Sequence, residues 1–309
     1  MNIKRIAAIA LSMRDFPSFS AKVEEAAYWL EHAAGLGADL VVFPEEINKY
    51  RGDGPGNPLA LSYEETAVDS FEPAARLIEL AQRLKVALAL PLLLREGNHY
   101  LNEFHVFSRE GDRLGAYRKI CPTPGELEAG VLRGSFEQPL IEWEGIKIGG
   151  ALCFDSHFED VFARQAARGA QLFLMPSLWP GGRQLEWFAL RYGTPIVLAY
   201  PAWSRIINID GSECAGRGYR EETLRFGFGS PIAIADINFD RCLVYNSKPW
   251  VEIERKYGRQ VKVTFDQVNV LVSIESLSDD LSIKEICREF NLEPYPDYLR
   301  RMNAEYVIP

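Results

Sequence analysis

The sequence lacks the features that mark several large classes of protein. Acidic residues outnumber basic ones by 43 to 34, so the formal net charge of −9 leaves no basic footprint for a nucleic-acid backbone or an anionic membrane surface. No apolar run approaches the roughly 20 residues that a membrane-spanning helix needs, and Arg14 and Asp15 come too early for a secretory signal peptide. These absences argue against nucleic-acid and membrane partners and predict a cytoplasmic protein.

Cysteine and histidine are sparse, and their spacing fits neither disulfides nor metal ligation. The cysteines are odd in number and contain no CxxC pair, which indicates neither a disulfide framework nor a zinc knuckle. The histidines show no HxH or HExxH spacing, and we therefore expect no metal site. These residues are Cys121, Cys153, Cys214, Cys242, Cys287, His32, His99, His105 and His157.

What the sequence does contain is a regular alternation of helical and strand patterns. With 309 residues, 47% of them hydrophobic, the chain can bury a sizeable core. No low-complexity linker divides it, so we expect a single α/β domain over residues 1–309. Strands are predicted at Ile6–Leu11, Asp39–Phe43, Ala87–Leu94 and Gln171–Met175, helices at Ala21–Leu36, Glu72–Leu84 and Phe158–Arg168, and a Gly/Pro-rich loop at Arg51–Pro58.

Two further local patterns are specific. The segment "YLNEFHVFSREGDRLGAYRK" predicts a hairpin that turns at Glu110–Asp112 and ends near Lys119. In the C-terminal part, roughly residues 258–309, "SIKE" from Ser282 is a capping box, followed by apolar residues at helical spacing. We expect this C-terminal extension to pack on its own domain or on a partner subunit.

One helix–strand pattern occurs twice. "AAGLGADLVVFPEE" and "AARGAQLFLMPSLW" share a helix that ends at glycine, four apolar residues, a proline and then polar or aromatic side chains. Ligands of open α/β sheets sit beyond the carboxyl ends of strands, where Glu45, Cys153 and Ser177 would all lie. An arbitrary acidic pair such as Glu45 and Glu46 is more often a solvated loop, but its position after a buried strand favours a function for one of the two.

Cys153 is a candidate nucleophile. In "GGALCFDSHFED" it follows a buried strand and precedes a helix, a setting that exposes a nucleophile and lets the next backbone N–H bind an oxyanion. The alternative is a small buried hydrophobic residue, the usual fate of a free cysteine. A reactive thiol needs a cation or a base nearby. His157, four residues on, is the local base that would form a Cys–His dyad, and its plainer role is a residue at the mouth of a site.

Several of these motifs together resemble the carbon–nitrogen hydrolases of the nitrilase superfamily. The motifs are "VVFPE" at Val41–Glu45, "YRK" at Tyr117–Lys119, "GGALCFD" at Gly149–Asp155 and "RGAQLFLMPS" from Arg168, in family order over roughly residues 3 to 240. The resemblance implies a four-layer αββα sandwich that pairs into a homodimer or larger homo-oligomer. It also implies a Glu–Lys–Cys triad, which by position would be Glu45, Lys119 and Cys153.

The chemistry implied by the resemblance suits these three residue types. A carboxylate at Glu45 can accept the thiol proton and later return it to the departing amine. An ammonium at Lys119 favours the thiolate and stabilises the oxyanion together with the backbone N–H of Phe154. Water then hydrolyses the thioester, so no metal or organic cofactor is expected. Glu46 would point to the opposite side of an extended chain and should be dispensable.

The family also has a second glutamate that orients the lysine, and two residues compete for that position. Spacing from Lys119 favours Glu126, whereas spacing back from Gly134 leaves Glu128 open as the alternative.

The substrate implied by the resemblance is a small-molecule amide or carbamoyl compound. Nitrile-cleaving members carry Trp-Glu after the nucleophile, whereas this chain has Phe154 and Asp155, as the amide-cleaving and carbamoyl-cleaving branches do. Phe154, His157 and Trp179 are candidate substrate-binding residues, although Trp179 could equally be a core or interface residue. Three alternatives stay open: an acyltransferase that uses the same thioester, a nitrile hydrolase, and a non-catalytic scaffold of the same fold.

Overall fold

The computed structural model describes residues 2–12, 14–51, 60–218, 230–245 and 249–306. Within these ranges the strands are β1 (Ile3–Ile9), β2 (Leu40–Val42), β3 (Ala87–Glu96), β4 (His99–Phe107), β5 (Arg113–Arg118), β6 (Ile141–Trp143), β7 (Ile146–Gly150), β8 (Leu172–Pro176), β9 (Ile196–Ala199), β10 (Ser204–Ile207), β11 (Glu213–Arg217), β12 (Ile232–Asn238), β13 (Arg241–Tyr245), β14 (Val261–Asp266) and β15 (Leu271–Ser276). The helices are α1 (Phe19–Gly35), α2 (Tyr63–Thr66), α3 (Ala75–Leu84), α4 (Pro124–Glu128), α5 (Glu159–Ala167), α6 (Gln184–Tyr192), α7 (Trp250–Tyr257), α8 (Ile283–Glu289) and α9 (Tyr295–Glu305).

The described strands form two six-stranded sheets and a smaller three-stranded one. The first sheet has the order β12-β1-β2-β3-β4-β5, and the second has the order β11-β10-β9-β8-β7-β6. In each of them three neighbouring strands run parallel, β1 to β3 and β7 to β9, with antiparallel strands on both sides. Parallel neighbours need crossover connections, and the helices α1, α3, α5 and α6 lie in these connections.

The two large sheets pack face to face, with helices on their outer faces. Side chains alternate along β1: Ile6 and Ala8 lie between the sheets, whereas Ala7 and Ile9 face α1 and α3. On the outer face of the second sheet, Phe162 of α5 stacks on a ring of α6 and lies edge-on to a ring of β8. The four-layer αββα sandwich that the sequence analysis predicted is therefore confirmed.

The repeated helix–strand pattern occupies equivalent places in the two sheets. The first copy is α1 followed by β2, and the second is α5 followed by β8; each strand is the middle one of three parallel strands. The predicted strands and helices are present with ends shifted by a few residues, and the predicted hairpin is formed by β4 and β5. The predicted Gly/Pro-rich loop lies outside the described residues apart from Arg51.

Gly150 lies at the end of β7, with its Cα against side chains of the facing sheet. A Cβ atom at this position would be 2.4 Å from the ring of Tyr117 and 2.8 Å from the ring of Phe104, both of which belong to the first sheet. Only a glycine fits there without displacing these rings. The short distance brings the segment after β7, which carries Cys153, against the first sheet.

The C-terminal part of the chain forms a separate small layer. Strands β13, β15 and β14 pair antiparallel in that order, and α7 and α8 cover the sheet through Ile253, Ile283 and Ile286. The predicted capping box is confirmed, because Ser282 Oγ accepts from the N–H of Glu285 and the Glu285 carboxylate accepts from the N–H of Ser282. The sequence analysis did not predict the strands β14 and β15. None of the described helices is both long and apolar enough to span a membrane.

Candidate active site

Three loops at the carboxyl ends of parallel strands carry the predicted site residues. Glu45 follows β2 of the first sheet, whereas Cys153 follows β7 and Ser177 follows β8 of the second. Because the sheets face each other, these loops from both halves meet at one end of the sandwich. A direct contact joins them: the backbone N–H of Leu178 donates to Oε2 of Glu45 at 2.9 Å.

Lys119 lies between two carboxylates in this region. It is 2% exposed, and its Nζ donates to Oε1 of Glu45 at 2.9 Å and to Oε1 of Glu126 at 2.8 Å. Burial favours loss of the ammonium proton, but the two carboxylates outweigh it and hold the pKa of Lys119 well above its ordinary value. The lysine is therefore a fixed buried cation.

The structure brings Glu126, and not Glu128, to the lysine. Thr123 caps α4: its hydroxyl accepts from the N–H of Glu126, and Oε2 of Glu126 accepts from the N–H of Thr123 at 2.6 Å. The other oxygen of Glu126 is then aimed at Lys119. Burial opposes ionisation of this carboxyl, yet the neighbouring ammonium and these hydrogen bonds lower its pKa. Glu128 is exposed on the other side of the short helix.

Asn102 of β4 is a site residue that the sequence analysis missed. Its side chain is fully buried, and Nδ2 lies 2.9 Å from Oε1 of Glu45 and 3.1 Å from Oε1 of Glu126. The amide thus holds the two carboxylates that also bind Lys119. The only sequence signal is a polar residue within an apolar strand, and the facing residues of such a strand are not visible from local sequence.

The side chain of Glu46 does not point away from the site, as the sequence analysis had predicted. An extended chain would turn its side chain away from Glu45, but the strand ends at Val42 and Glu46 has a left-handed backbone with φ 47°. Its side chain is buried, and Oε1 lies 3.4 Å from the same Asn102 amide. Burial raises the pKa of Glu46 to about 7, with Lys49 opposing the shift and Glu45 adding to it.

Cys153 lies on a sharp turn that is stabilised by hydrogen bonds to a nearby buried carboxylate. Its φ is 46°, a left-handed conformation that a non-glycine residue adopts only when its surroundings enforce it. Asp155, two residues on, is fully buried and accepts from the N–H of Leu152 at 2.9 Å, closing the turn. The same carboxylate accepts from the Tyr117 hydroxyl at 2.9 Å and from the N–H of Cys121 at 2.7 Å. Asp155 thus ties the cysteine turn to the segment that carries Lys119.

The surroundings of Cys153 favour the thiol over the thiolate. Burial and the Glu45 carboxylate raise the pKa of Cys153 well above its ordinary range, while Lys119 and the polar groups of Leu178 and Ser177 act in the opposite direction. Such a thiol reacts as a nucleophile only when its proton moves to an acceptor, and the Glu45 carboxylate is the anion that influences it most strongly. The arrangement can therefore couple proton transfer to nucleophilic attack.

The predicted pocket residues form an aromatic group beside the cysteine. The ring of Phe154 lies 5.1 Å from that of His157, and His157 lies 6.2 Å from that of Trp179, measured between centroids. Trp179 is 47% exposed, which excludes a place in the core of this chain. His157 is exposed and packs against these rings; among the described hydrogen bonds it makes none to Cys153. The positions of Phe154, His157 and Trp179 suit the mouth of a site.

Three carboxylates converge closely enough to resemble a metal site. Oxygens of Glu45, Glu46 and Glu126 lie within 4.8 Å of one another, the one such acidic or ligand cluster among the residues that the structure describes. The Lys119 ammonium and the Asn102 amide already donate to these oxygens. The carboxylate oxygens that could bind a metal ion are thus already paired with the ammonium and the amide. The cluster is therefore an ion-pair network.

The chain is similar to known proteins in sequence. A family model described as carbon–nitrogen hydrolase matches residues 5–244. A bifunctional nitrilase/nitrile hydratase of Nicotiana tabacum is 30% identical over 170 residues, or 51% of this chain and 49% of that protein. The chloroplastic omega-amidase of Arabidopsis thaliana is 29% identical over 158 residues, or 48% of this chain and 42% of that protein. The chain thus spans about half the length of the curated relatives it matches.

Solved structures share the fold. An amidase from Nesterenkonia sp. superposes with a TM-score of 0.62 at 22% identity, covering 82% of this chain and 96% of that one. A double mutant of the amidase from Nesterenkonia sp. AN1 in complex with acrylamide gives a TM-score of 0.63 at 20% identity, covering 83% and 98%. Since the family model covers most of its residues, the chain belongs to the carbon–nitrogen hydrolase family.

Proposed function

We propose that this chain hydrolyses the carbon–nitrogen bond of a small-molecule amide or carbamoyl compound through a thioester on Cys153. The observation that carries the proposal is the buried Lys119 ammonium, held between Glu45 and Glu126 beside the Cys153 turn. A structural ion pair would not require a nucleophile on a left-handed turn at the same place. The combination is suited to acyl transfer.

In the proposed first half-reaction Glu45 acts as general base. Its carboxylate accepts the thiol proton, and the sulfur of Cys153 forms a bond to the substrate carbonyl carbon. The oxyanion that develops is stabilised by Lys119 and by the backbone N–H of Phe154. Glu45 then protonates the nitrogen, the carbon–nitrogen bond breaks, and ammonia or an amine leaves with the acyl group remaining on sulfur.

In the second half-reaction water takes the place of the amine. Glu45 accepts a proton from water, whose oxygen attacks the thioester carbon. As the carbon–sulfur bond breaks, Glu45 returns this proton to sulfur, so the acid is released and the Cys153 thiol and the Glu45 carboxylate are regenerated. The N–H of Leu178 and the amide of Asn102 fix both oxygens of Glu45 during these steps. The role of Glu126 and Asn102 is to position Lys119 and Glu45.

The amide-type substrate is favoured over a nitrile by the residues after the nucleophile. Phe154 and Asp155 stand where nitrile-cleaving members have Trp-Glu, and Asp155 is committed to the internal hydrogen bonds of the turn. The relatives include an omega-amidase and a bifunctional nitrilase/nitrile hydratase, and a double mutant of the amidase with the same fold is in complex with acrylamide. Nitrile hydrolysis is the second candidate because of the plant nitrilase.

An ammonia-release screen over primary amides, carbamoyl compounds and nitriles tests the proposal. We expect turnover of one or more members of the first two classes and a transient acyl adduct on Cys153 by intact-protein mass spectrometry. Addition of hydroxylamine as a competing acceptor distinguishes hydrolysis from acyl transfer, since a transferase would form hydroxamate in preference to acid. Nitrile turnover with no amide turnover would contradict the substrate class, and an adduct that forms equally on a Cys153→Ala protein would contradict the mechanism.

We also infer that the protein is a homodimer or a larger homo-oligomer. The inference rests on the sandwich pairing implied by the family and on the C-terminal extension, roughly residues 258–309, proposed to pack on the single domain or on a partner. Light scattering at micromolar concentration is expected to give at least twice the chain mass of 34.9 kDa. A stable monomer would contradict it.

A further inference from the structure

Two cysteines of the C-terminal layer, outside the proposed active site, lie in contact. Sγ of Cys242 and Sγ of Cys287 are 3.5 Å apart, although the residues are 45 positions apart in the chain. Cys242 lies on β13 and Cys287 on α8, so the contact joins the small sheet to the helix that covers it. Both are half-buried free thiols.

The surroundings of this thiol pair are accessible and cationic. Both cysteines line an open cleft whose walls also carry Arg241, Lys284 and Arg288. Lys284 and Arg288 are exposed on α8, the same helix as Cys287. Asp240, which accepts from the N–H of Ile283 at 3.0 Å, is the acidic neighbour whose charge acts against a thiolate. The three basic residues outnumber this one carboxylate, so the cleft should attract an anionic reagent.

The two sulfurs are unequal. The contact between the two sulfurs lowers the pKa of Cys287, although burial acts in the opposite direction, and it raises the pKa of Cys242. Cys287 also lies on the same helix as the exposed cations Lys284 and Arg288, so we assign it as the attacking thiol and Cys242 as the second. An attacking thiol with a neighbouring resolving thiol is the arrangement that reversible disulfide formation requires.

We propose that Cys242 and Cys287 form a dithiol modification site that closes to an intrachain disulfide by exchange with an anionic low-molecular-weight disulfide. The Cys287 thiolate attacks one sulfur of the reagent, forming a mixed disulfide and releasing one small thiol. Cys242 then loses its proton to solvent and attacks the sulfur of Cys287, which releases the second small thiol. The two protein thiols are oxidised, and the reagent disulfide is reduced to two thiols.

The remaining cysteines provide internal contrasts. Cys121 is buried, Cys153 belongs to the proposed active site, and Cys214 is exposed on β11. To form a disulfide bond the two sulfurs would have to come about 1.5 Å closer. The bond would tie α8 to β13 and close the chain between them. It would also raise the thermal stability of the C-terminal layer, because a cross-link limits the unfolded chain.

The test uses the full-length reduced protein and oxidised glutathione, which carries net negative charge. After acid quenching, intact mass should find a species about 2 Da lighter than the reduced protein, and peptide mapping after alkylation of the remaining thiols should find Cys242 joined to Cys287. Its thermal unfolding midpoint should exceed that of the reduced protein. A stable glutathione adduct on Cys287 without ring closure, or a disulfide between any other pair, would overturn the proposal.

Matched variants separate the two roles. Cys242→Ser should trap a mixed disulfide about 305 Da heavier on Cys287, and Cys287→Ser should carry no adduct at either position. Cys214→Ser is the control and should close the Cys242–Cys287 bond at the wild-type rate. Equal adduct formation in the Cys242→Ser and Cys287→Ser proteins would contradict the assignment of Cys287 as the attacking thiol.

A charge comparison tests the cleft. At low ionic strength oxidised glutathione should close the bond several-fold faster than cationic cystamine, and a Lys284→Ala/Arg288→Ala protein should lose most of that preference. Wild type and the double variant reacting alike with both reagents would show that the cleft does not select the anionic disulfide.

Discussion

The two copies of the helix–strand pattern occupy equivalent places and supply different chemical groups. After β2 the first copy presents the carboxylates of Glu45 and Glu46, whereas after β8 the second presents Ser177 and the backbone N–H of Leu178. The two meet directly, since that N–H donates to Glu45 at 2.9 Å. The first half thus contributes an ionisable side chain and the second half contributes the donor that orients it.

This difference between the two copies shows how the αββα fold contributes to the candidate site. A repeated strand and turn deliver the backbone to a defined end of each sheet, while the residues after the proline decide the chemistry. Only the ionisable copy can exchange protons, so substitutions in the two copies should have very different effects.

The largest effect is expected at Glu45. Glu45→Gln keeps the side-chain shape but removes the base, and turnover should fall by at least about 10³-fold because both half-reactions need proton transfer. The equivalent change in the second copy, Ser177→Ala, should cost less than about tenfold, because the Leu178 N–H is retained. Steady-state ammonia release measures both. Comparable losses in the two variants would contradict the asymmetry.

Lys119→Ala should rank next. The change removes the fixed cation from the oxyanion and leaves Glu45 and Glu126 unpaired in a buried site, and a loss of roughly 10²–10³ in kcat is expected. Circular dichroism should establish that the variant is folded, since part of the loss could otherwise come from unfolding. A folded Lys119→Ala protein with wild-type kcat would remove the lysine from the mechanism.

Glu126 and Glu128 form a natural pair of test and control. Glu126→Gln should lower kcat by about 10-fold to 100-fold, since it weakens the hold on Lys119 and part of the cap of α4. Glu128→Gln changes an exposed residue of the same helix and should be close to neutral. Measuring kcat for both variants tests this. Equal kcat values for Glu126→Gln and Glu128→Gln would mean that Glu126 contributes only to stability.

Asp155→Asn should affect stability and rate together. Asparagine brings an N–H₂ group to a position where the N–H groups of Leu152 and Cys121 and the Tyr117 hydroxyl all need acceptors. We expect a loss of roughly 2–4 kcal/mol in unfolding free energy and a kcat reduced by about tenfold or more. Denaturant titration and rate assays measure the two. A stable, fully active variant would show that the turn does not depend on this carboxylate.

The smallest effect on rate is expected for Glu46→Gln, at less than about tenfold. The informative readout is stability against pH. Because the pKa of Glu46 is about 7 in the folded protein and lower when unfolded, the unfolded state has lost this proton between about pH 5 and pH 7 while the folded state keeps it. Wild-type stability should therefore fall through this window relative to Glu46→Gln, by no more than about 3 kcal/mol. A pH-independent difference would contradict the buried carboxyl.

The sequence was a good guide to the fold and to three positions of the candidate site. Buried strands ending in proline or glycine placed Glu45 and Cys153 at strand ends, and the hairpin placed Lys119. The choice between Glu126 and Glu128 was left open, although Thr123, Pro124 and Glu126 form a capping-box pattern that could have decided it. The catalytic roles of Glu45, Lys119, Cys153 and Glu126 remain predictions.

Other features depend on contacts between distant segments. Asn102 is one polar residue in an apolar strand, and its partners lie 57 and 24 positions away. The left-handed backbone of Glu46 is imposed by the packed loop, so the alternation of an extended chain does not apply to it. The pairing of β13 with β15 likewise brings residues of two different segments together.

The close approach at Gly150 has a consequence for how mutational maps of this protein should be interpreted. Any side chain there would press on the ring of Tyr117, whose hydroxyl holds the Asp155 carboxylate that closes the cysteine turn. A position that touches no substrate would then score as indispensable in an activity screen, alongside the nucleophile itself. A screen that measures only loss of activity would therefore assign residues such as Gly150 to the catalytic site, although they act through the packing between the two sheets.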